Sequence, residues 1–205
     1  RALRDYRFGA GLGLMALASL VFGILSVLGP LRLSAAGWGA AGIGVVWLIG
    51  AAVETIGSPL AGRLVDRRGR LLPVRALLVF GAALELALAV GPRPLFYVPL
   101  IVISAAVFGV LFTPAFALIA DGAENVALPQ GMAFGFMSAA WAVGGFVGPA
   151  AAGAIAGATS DWIPFVLAAG VCAVAFALAR PASDHVGAAV VVDRLPGDAA
   201  RVRGK

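Results

Sequence analysis

The stretch GRLVDRRGR, residues 62–70, concentrates charge in a chain that otherwise carries very little. It holds four of the 15 Lys and Arg residues of a 205-residue protein that is 61% apolar and 12% charged. The mean hydropathy of +1.01 is far above that of an ordinary soluble domain. The nonapeptide therefore indicates a short polar connection between segments that dissolve in lipid.

The segments around this stretch are long enough to cross a bilayer, which takes roughly 20 helical residues. Five runs carry no Asp, Glu, Lys or Arg, and a sixth contains only Arg75 and Glu85. A soluble domain with six such runs would lack the polar surface needed to dissolve it. We predict an all-α membrane protein with six transmembrane helices, near residues 8–31, 38–62, 71–91, 95–120, 129–157 and 162–180.

These helices predict a transmembrane domain over residues 8–180, with a polar segment at each end. Residues 1–7 are basic and read as a cytoplasmic lead-in, as if another segment preceded them. Residues 181–205 are punctuated by Pro, Gly and charge, so we expect a flexible cytoplasmic tail.

The basic residues predict the orientation, because short cytoplasmic loops are enriched in Lys and Arg. If the N-terminus is cytoplasmic, that side holds 13 of the 15 basic residues, and only Arg32 and Arg93 lie on the other side. We expect a multi-pass protein of the plasma or inner membrane with both termini in the cytoplasm. This topology explains the net charge of +5 without a nucleic-acid partner.

Patterns typical of enzymes and cofactor sites are missing from the sequence. The single cysteine, Cys172, lies in an apolar run, and the single histidine, His185, lies in the polar tail. GWGAAG at 37–42 matches a GxGxxG pattern but has no strand before it. We expect no enzymatic activity, no catalytic residue, no metal and no cofactor.

The order of residues in the opening stretch, G-x-L-x-D-R-x-G-R between two membrane helices, resembles the signature loop of the major facilitator superfamily of secondary transporters. An arbitrary basic loop would explain the arginines but not the spaced Gly, Asp and Gly. Where the family pattern usually continues with Lys and later Leu, this chain has Leu71 and Val74. The matching positions are Gly62, Leu64, Asp66, Arg67, Gly69 and Arg70.

We interpret this loop as a cytoplasmic electrostatic latch, facing a loop whose only charges are Asp121 and Glu124. Exposed ion pairs contribute about 0–1 kcal/mol each, so the latch should tune a conformational equilibrium. Transport by a carrier with Asp66→Asn tests this interpretation. The latch residues are Gly62, Asp66, Arg67, Gly69 and Arg70.

A second pattern lies in the predicted fifth helix and resembles the antiporter motif of drug:proton exchangers of the same superfamily, which implies antiport and efflux. It reads G-x8-G-x3-G-P-x2-G-G, with Ala152 replacing one glycine. Its positions are Gly135, Gly144, Gly148, Pro149 and Gly153.

The same helix carries a stripe of small side chains at intervals of four residues, against which another helix can pack closely. Pro149 removes one backbone donor, so a bend or hinge is expected there. The stripe consists of Ala140, Gly144, Gly148, Ala152 and Ala156.

The superfamily's usual unit is twelve helices in two six-helix halves, so the chain resembles one half of a major-facilitator-type bundle. The basic lead-in and the lack of an arginine in the fourth helix favour the C-terminal half. The expected partners are the other six-helix half or a second copy, the lipid bilayer, protons and a small-molecule substrate.

Two ionisable residues lie at membrane depth, where they are costly unless they face protein or water. Glu54 lies about 18 Å from the cytoplasmic end at 1.5 Å per residue, on a face rich in small residues. We predict that it binds the coupling proton or a cationic substrate; the alternative is a protonated side chain hydrogen-bonded between helices. Glu85 is a possible secondary site, with a structural or snorkelling role as its alternative.

Two functions remain open at this point. The first is proton-coupled secondary transport of a small organic molecule by alternating access. The second is a non-transporting remnant or scaffold that retains the six-helix packing. A six-helix block upstream in the parent reading frame would favour the first, and a start codon immediately before Arg1 would favour the second.

Overall fold

The computed structural model describes residues 5–69, 71–91 and 94–179. Five of its helices are long and apolar enough to cross a membrane, and the sixth is an apolar helix of 16 residues. The predicted all-α membrane fold is confirmed. The helices are α1 (Tyr6–Ala35), α2 (Ala40–Arg68), α3 (Leu71–Val90), α4 (Pro94–Asn125), α5 (Gln130–Ala158) and α6 (Ile163–Leu178).

Three helices run past their predicted ends, because single charged residues there do not interrupt them. α1 continues beyond Arg32, α2 continues through Arg68, and α4 continues beyond Asp121. α2 ends at Gly69, whose φ of 74° is a conformation that glycine adopts without steric cost. Placing all of residues 63–70 in the connection was therefore wrong, since 63–68 form the last turns of α2.

Arg70 and the predicted tail at 181–205 lie outside the described residues.

α1 occupies the centre of the bundle and packs against α4 on one side and α5 on the other. α2 packs on α4, and α3 packs on α4 and α6. The most apolar part of α1 is 61% buried, whereas the corresponding parts of α2 and α5 are only 11% and 17% buried. The centre of the bundle is filled by completely buried side chains such as Leu25, Leu33, Phe108, Leu111 and Phe165.

Small residues let α1 and α5 approach closely. Gly144 and Gly148 of α5 are buried, and a Cβ on either would overlap the backbone of Leu20 in α1. The Pro149 ring fills the space that a side chain on Gly23 would need. Gly144 and Gly148 of the predicted stripe therefore lie in close contact with α1.

The helices alternate in direction, so the bundle has two ends that are named here for later use. The loop end carries the α2–α3 connection together with the start of α1 and the end of α4. The far end carries the end of α1, the end of α3 and the α5–α6 turn.

Candidate functional site

Glu54 lies on the face of α2 that packs against α4, near the middle of this 29-residue helix. Gly109 of α4 forms a notch for it, because a Cβ at that position would overlap the Glu54 carboxyl group. The side chain is partly buried and makes no hydrogen bond or ion pair with any residue of the described segments. The carboxyl group thus sits between two helices without a protein partner.

Small residues near Glu54 face α4, as the sequence predicted, and bulky residues lie on the exposed side of α2. Ile49, Val53, Ile56 and Leu60 are exposed, and Gly50 and Gly57 approach Ala105 and Val110 of α4. Val46 is buried, because it lies one turn before Gly50 on the α4 side. Two turns before Glu54, Trp47 packs edge-on against Phe22 of α1, with ring centroids 5.4 Å apart.

At the loop end, the latch residues lie on the last two turns of α2 and at its end. Asp66 and Arg67 are exposed, and Gly62 faces Thr113 of α4. Asp121 lies 3.9 Å from the guanidinium group of Arg7 in α1. The sequence interpretation did not name Arg7, although it is one of the three N-terminal arginines that a charge count at this end could have included.

An open groove of about 1290 Å³ lies beside these charges, between α1, α5 and α6. Most of its lining is apolar, with Leu14, Val147 and Val171 among the contributors, and Arg7, Arg68 and Asp121 lie at its charged end. The groove does not reach Glu54, which is absent from its lining.

At the far end, Glu85 is completely buried between α3 and α4. Ser104 Oγ donates a hydrogen bond of 2.6 Å to Glu85 Oε1, and Oε2 has no partner in the described part of the chain. The snorkelling alternative for Glu85 was therefore wrong, because the carboxyl group points into the bundle.

Arg32 reaches α3 about one helical turn from Glu85, although it was expected in a loop. It is buried because α1 continues beyond it. Its Nε donates to Asp161 Oδ2 at 2.7 Å and its Nη2 to the Asp161 carbonyl at 3.2 Å, while Nη1 donates to the Leu88 carbonyl of α3. The guanidinium carbon also lies 4.5 Å from the ring centroid of Phe165. One side chain thus joins α1, α3 and the α5–α6 turn.

Sequence reasoning missed Arg32, Ser104 and Asp161 as members of one site. A list of the charges assigned to each end would have pointed to it, because the far end carries only Arg32, Glu85, Arg93 and Asp161. Arg93 lies outside the described residues.

The remaining motif glycines of α5 differ from Gly144 and Gly148. Gly135 and Gly153 are exposed, and a Cβ at either position would have open space around it. They therefore take no part in the α1–α5 contact. Within the described segments, no group of His, Cys, Asp and Glu side chains could hold a metal ion.

Comparison with protein families decides the identity of the chain. The family model described as Major Facilitator Superfamily matches residues 1–131, more than half of the chain. The chain belongs to the major facilitator superfamily. The match covers α1–α4 and includes residues 62–70. A search of the curated proteins found no match.

Membership in the major facilitator superfamily means a membrane-embedded transport protein for small solutes, from a family of transporters and not of enzymes. The matched residues end at the start of α5. The antiporter-like pattern of α5, which begins at Gly135, therefore lies entirely beyond the family match.

Proposed function

We propose that the chain is one six-helix half of a secondary transporter that exchanges a small organic molecule for protons by alternating access. The observation that carries this proposal is the position of Glu54. Its carboxyl group lies near the middle of the 29-residue helix α2, in a glycine notch between α2 and α4, and it has no partner among the described residues.

An unpartnered carboxyl group at this depth supports proton exchange for an electrostatic reason. A carboxylate in the hydrocarbon region is costly unless a cation or water compensates its charge. Binding of a proton removes the charge, and binding of a cationic substrate compensates it. A single carboxyl group for which a proton and a cationic substrate compete is sufficient in principle for antiport.

The large exposed apolar surfaces of α2 and α5 support the proposal of a second half. Both helices pack on the bundle along narrow glycine-rich faces and leave large apolar side chains uncovered, among them Ile56, Met132 and Phe146. A second six-helix half, or a second copy of the chain, would meet these faces and enclose a central pathway. The basic lead-in favours this chain as the C-terminal half.

Glu54→Gln is expected to abolish proton-coupled transport while leaving membrane insertion unchanged, because glutamine keeps the shape but cannot ionise. Efflux of ethidium, an aromatic cation used as the probe, would be measured in everted vesicles that carry the full-length protein, with an imposed pH gradient. Thr55→Val, at the exposed neighbouring position of α2, is the matched control. Normal gradient-driven efflux by Glu54→Gln, equal to that of Thr55→Val, would refute the assignment.

We propose that the loop end faces the cytoplasm, and thiol labelling tests this orientation. In a Cys172→Ser background, Trp38→Cys and Arg68→Cys place single exposed thiols at opposite ends of α2. A membrane-impermeant maleimide added to intact cells is expected to label position 38 and not position 68. Labelling at 68 alone would reverse the proposed topology.

A further inference from the structure

The proposed function leaves the buried charges of the far end unused. All three nitrogens of the Arg32 guanidinium donate, two to Asp161 and one to the Leu88 carbonyl. Glu85, one helical turn before Leu88, has a carboxyl oxygen without any partner and no exposed surface. A buried cation and a buried carboxyl group are therefore neighbours, but the cation is hydrogen-bonded to a different carboxylate.

The position of Leu88 places the Arg32 guanidinium group about one helical turn of α3 away from Glu85. Residues three apart share a helix face, so Arg32 Nη1 already contacts the face of α3 that carries Glu85. For Arg32 to pair with Glu85, its guanidinium group must move from the Leu88 carbonyl across about one helical turn of α3 to the free oxygen of Glu85.

The groups that face Glu85 come from every helix packed around it. α1 contributes Arg32 through its hydrogen bond to α3, α4 contributes the Ser104 hydroxyl, and α6, which packs on α3, carries the buried Cys172 thiol. Asp161 lies beyond Arg32, on the α5–α6 turn. Within the part of the chain that the structure describes, Arg32 is the one cation among them.

The state of Glu85 should then depend on the partner of Arg32. While Arg32 binds Asp161, an ionised Glu85 would be a buried charge with one unpaired oxygen, which costs far more than a neutral carboxylic acid. When Arg32 turns to Glu85, two parallel charge-assisted hydrogen bonds can stabilise the carboxylate. Asp161 tolerates the loss of Arg32, because its side chain is 57% exposed and water can solvate it.

We propose that Glu85 is a proton-binding site and that Arg32 is a switch between two carboxylates, Asp161 and Glu85. In one state, the neutral Glu85 acid lies beside an Arg32–Asp161 ion pair. In the other, Arg32 pairs with the Glu85 carboxylate, Asp161 is hydrated, and the Glu85 proton has passed to water that enters at the far end. The O–H bond of Glu85 breaks heterolytically, and total charge is conserved.

Opening of the far end would drive this exchange in a carrier, because separation of α1 from the α5–α6 turn pulls Arg32 away from Asp161. This link to transport rests on the proposed function, whereas the exchange between carboxylates does not. Glu85 would then release its proton at the far end, at a site separate from Glu54.

Infrared spectroscopy of the purified chain in lipid vesicles at neutral pH tests the switch without any substrate. The carbonyl stretch of a protonated carboxylic acid is resolved from that of a carboxylate, and the difference between wild type and Glu85→Gln isolates the Glu85 contribution. We expect this band in wild type and its loss in Asp161→Asn, because Arg32 without its carboxylate partner pairs with Glu85. Asp161→Glu, which keeps the partner, should retain the band.

The double variant Arg32→Gln/Asp161→Asn should recover the band, since no cation is left to displace the proton. Failure of Cys172 to react with a thiol reagent verifies that each variant is folded. The proposal is overturned if the wild-type and Glu85→Gln spectra do not differ in this band, or if Asp161→Asn keeps it at full strength. Because no transport is measured, failure of the Glu54 experiment would leave this result standing, and the reverse also holds.

Discussion

Replacement of Gly148 by valine is expected to force α1 and α5 apart and to lower the stability of the bundle by about 1–3 kcal/mol, the usual cost of overpacking. A Cβ at this position would overlap the Leu20 carbonyl oxygen of α1. That atom belongs to the backbone, so no rotamer change can relieve the overlap. The loss should therefore fall near the upper end of this range.

The single cysteine of the chain provides the measurement for Gly148→Val. Cys172 is buried in α6, so a thiol-reactive fluorogenic dye reacts with it only after unfolding. A heating ramp in detergent should give a lower midpoint for Gly148→Val than for wild type. Gly153→Val is the matched control, because it lies in the same helix and a Cβ there meets nothing within 4 Å. Equal midpoints for the two variants would contradict the close α1–α5 contact.

The second large effect is expected at the opposite side of α1, at Gly11. A Cβ there would lie 2.8 Å from the Ile119 backbone nitrogen and 3.0 Å from the Ala115 carbonyl oxygen of α4. Gly11→Val should destabilise the α1–α4 contact by about 1–3 kcal/mol, again because backbone atoms cannot move aside independently. The same dye reaction with Cys172 measures it.

Gly13 is the control for this second variant, only two residues away in the same helix. It is exposed, and a Cβ at Gly13 has no atom within 4 Å. Gly13→Val should unfold at the wild-type temperature or slightly above it, because valine restricts the unfolded chain more than glycine does. A destabilisation of Gly13→Val as large as that of Gly11→Val would mean that the contact with α4 is not the cause of the effect.

The helices and the small-residue stripe were predictable because both depend on local sequence. A run without charge is a lipid-soluble helix wherever it lies, and residues such as Gly144 and Gly148 share a face by helical geometry alone. The sequence could not tell that α1 is the partner of this stripe, because that depends on how helices more than 100 residues apart are arranged.

The far-end cluster escaped prediction for two physical reasons. Charge patterns place an arginine at the edge of a membrane segment, but Arg32 is part of a helix that continues to Ala35, and hydrogen bonds together with an aromatic ring compensate its burial. Its carboxylate partner, Asp161, is 129 residues away in the sequence. No local pattern connects the two.

Glu54 illustrates the intermediate case. Its depth and its face of small residues follow from counting along one helix, and both were anticipated. The notch at Gly109 was not, because it depends on the register between α2 and α4, which a single helix pattern does not contain. The sequence also could not show that this carboxyl group lacks a partner among the described residues, because that depends on how α4 packs against α2.

The short sixth helix has a consequence for the surrounding lipid. Its 16 residues span about 24 Å at 1.5 Å per residue, whereas the hydrocarbon core of a typical bilayer is about 30 Å thick. Local thinning of the bilayer is one of the ways in which a membrane accommodates such a short helix. Trp162, exposed just before α6, is suited to the headgroup layer, as tryptophan generally is. The membrane surface is therefore expected to dip beside this helix, bringing headgroups and water to the neighbouring Asp161 and making its hydration sensitive to bilayer thickness.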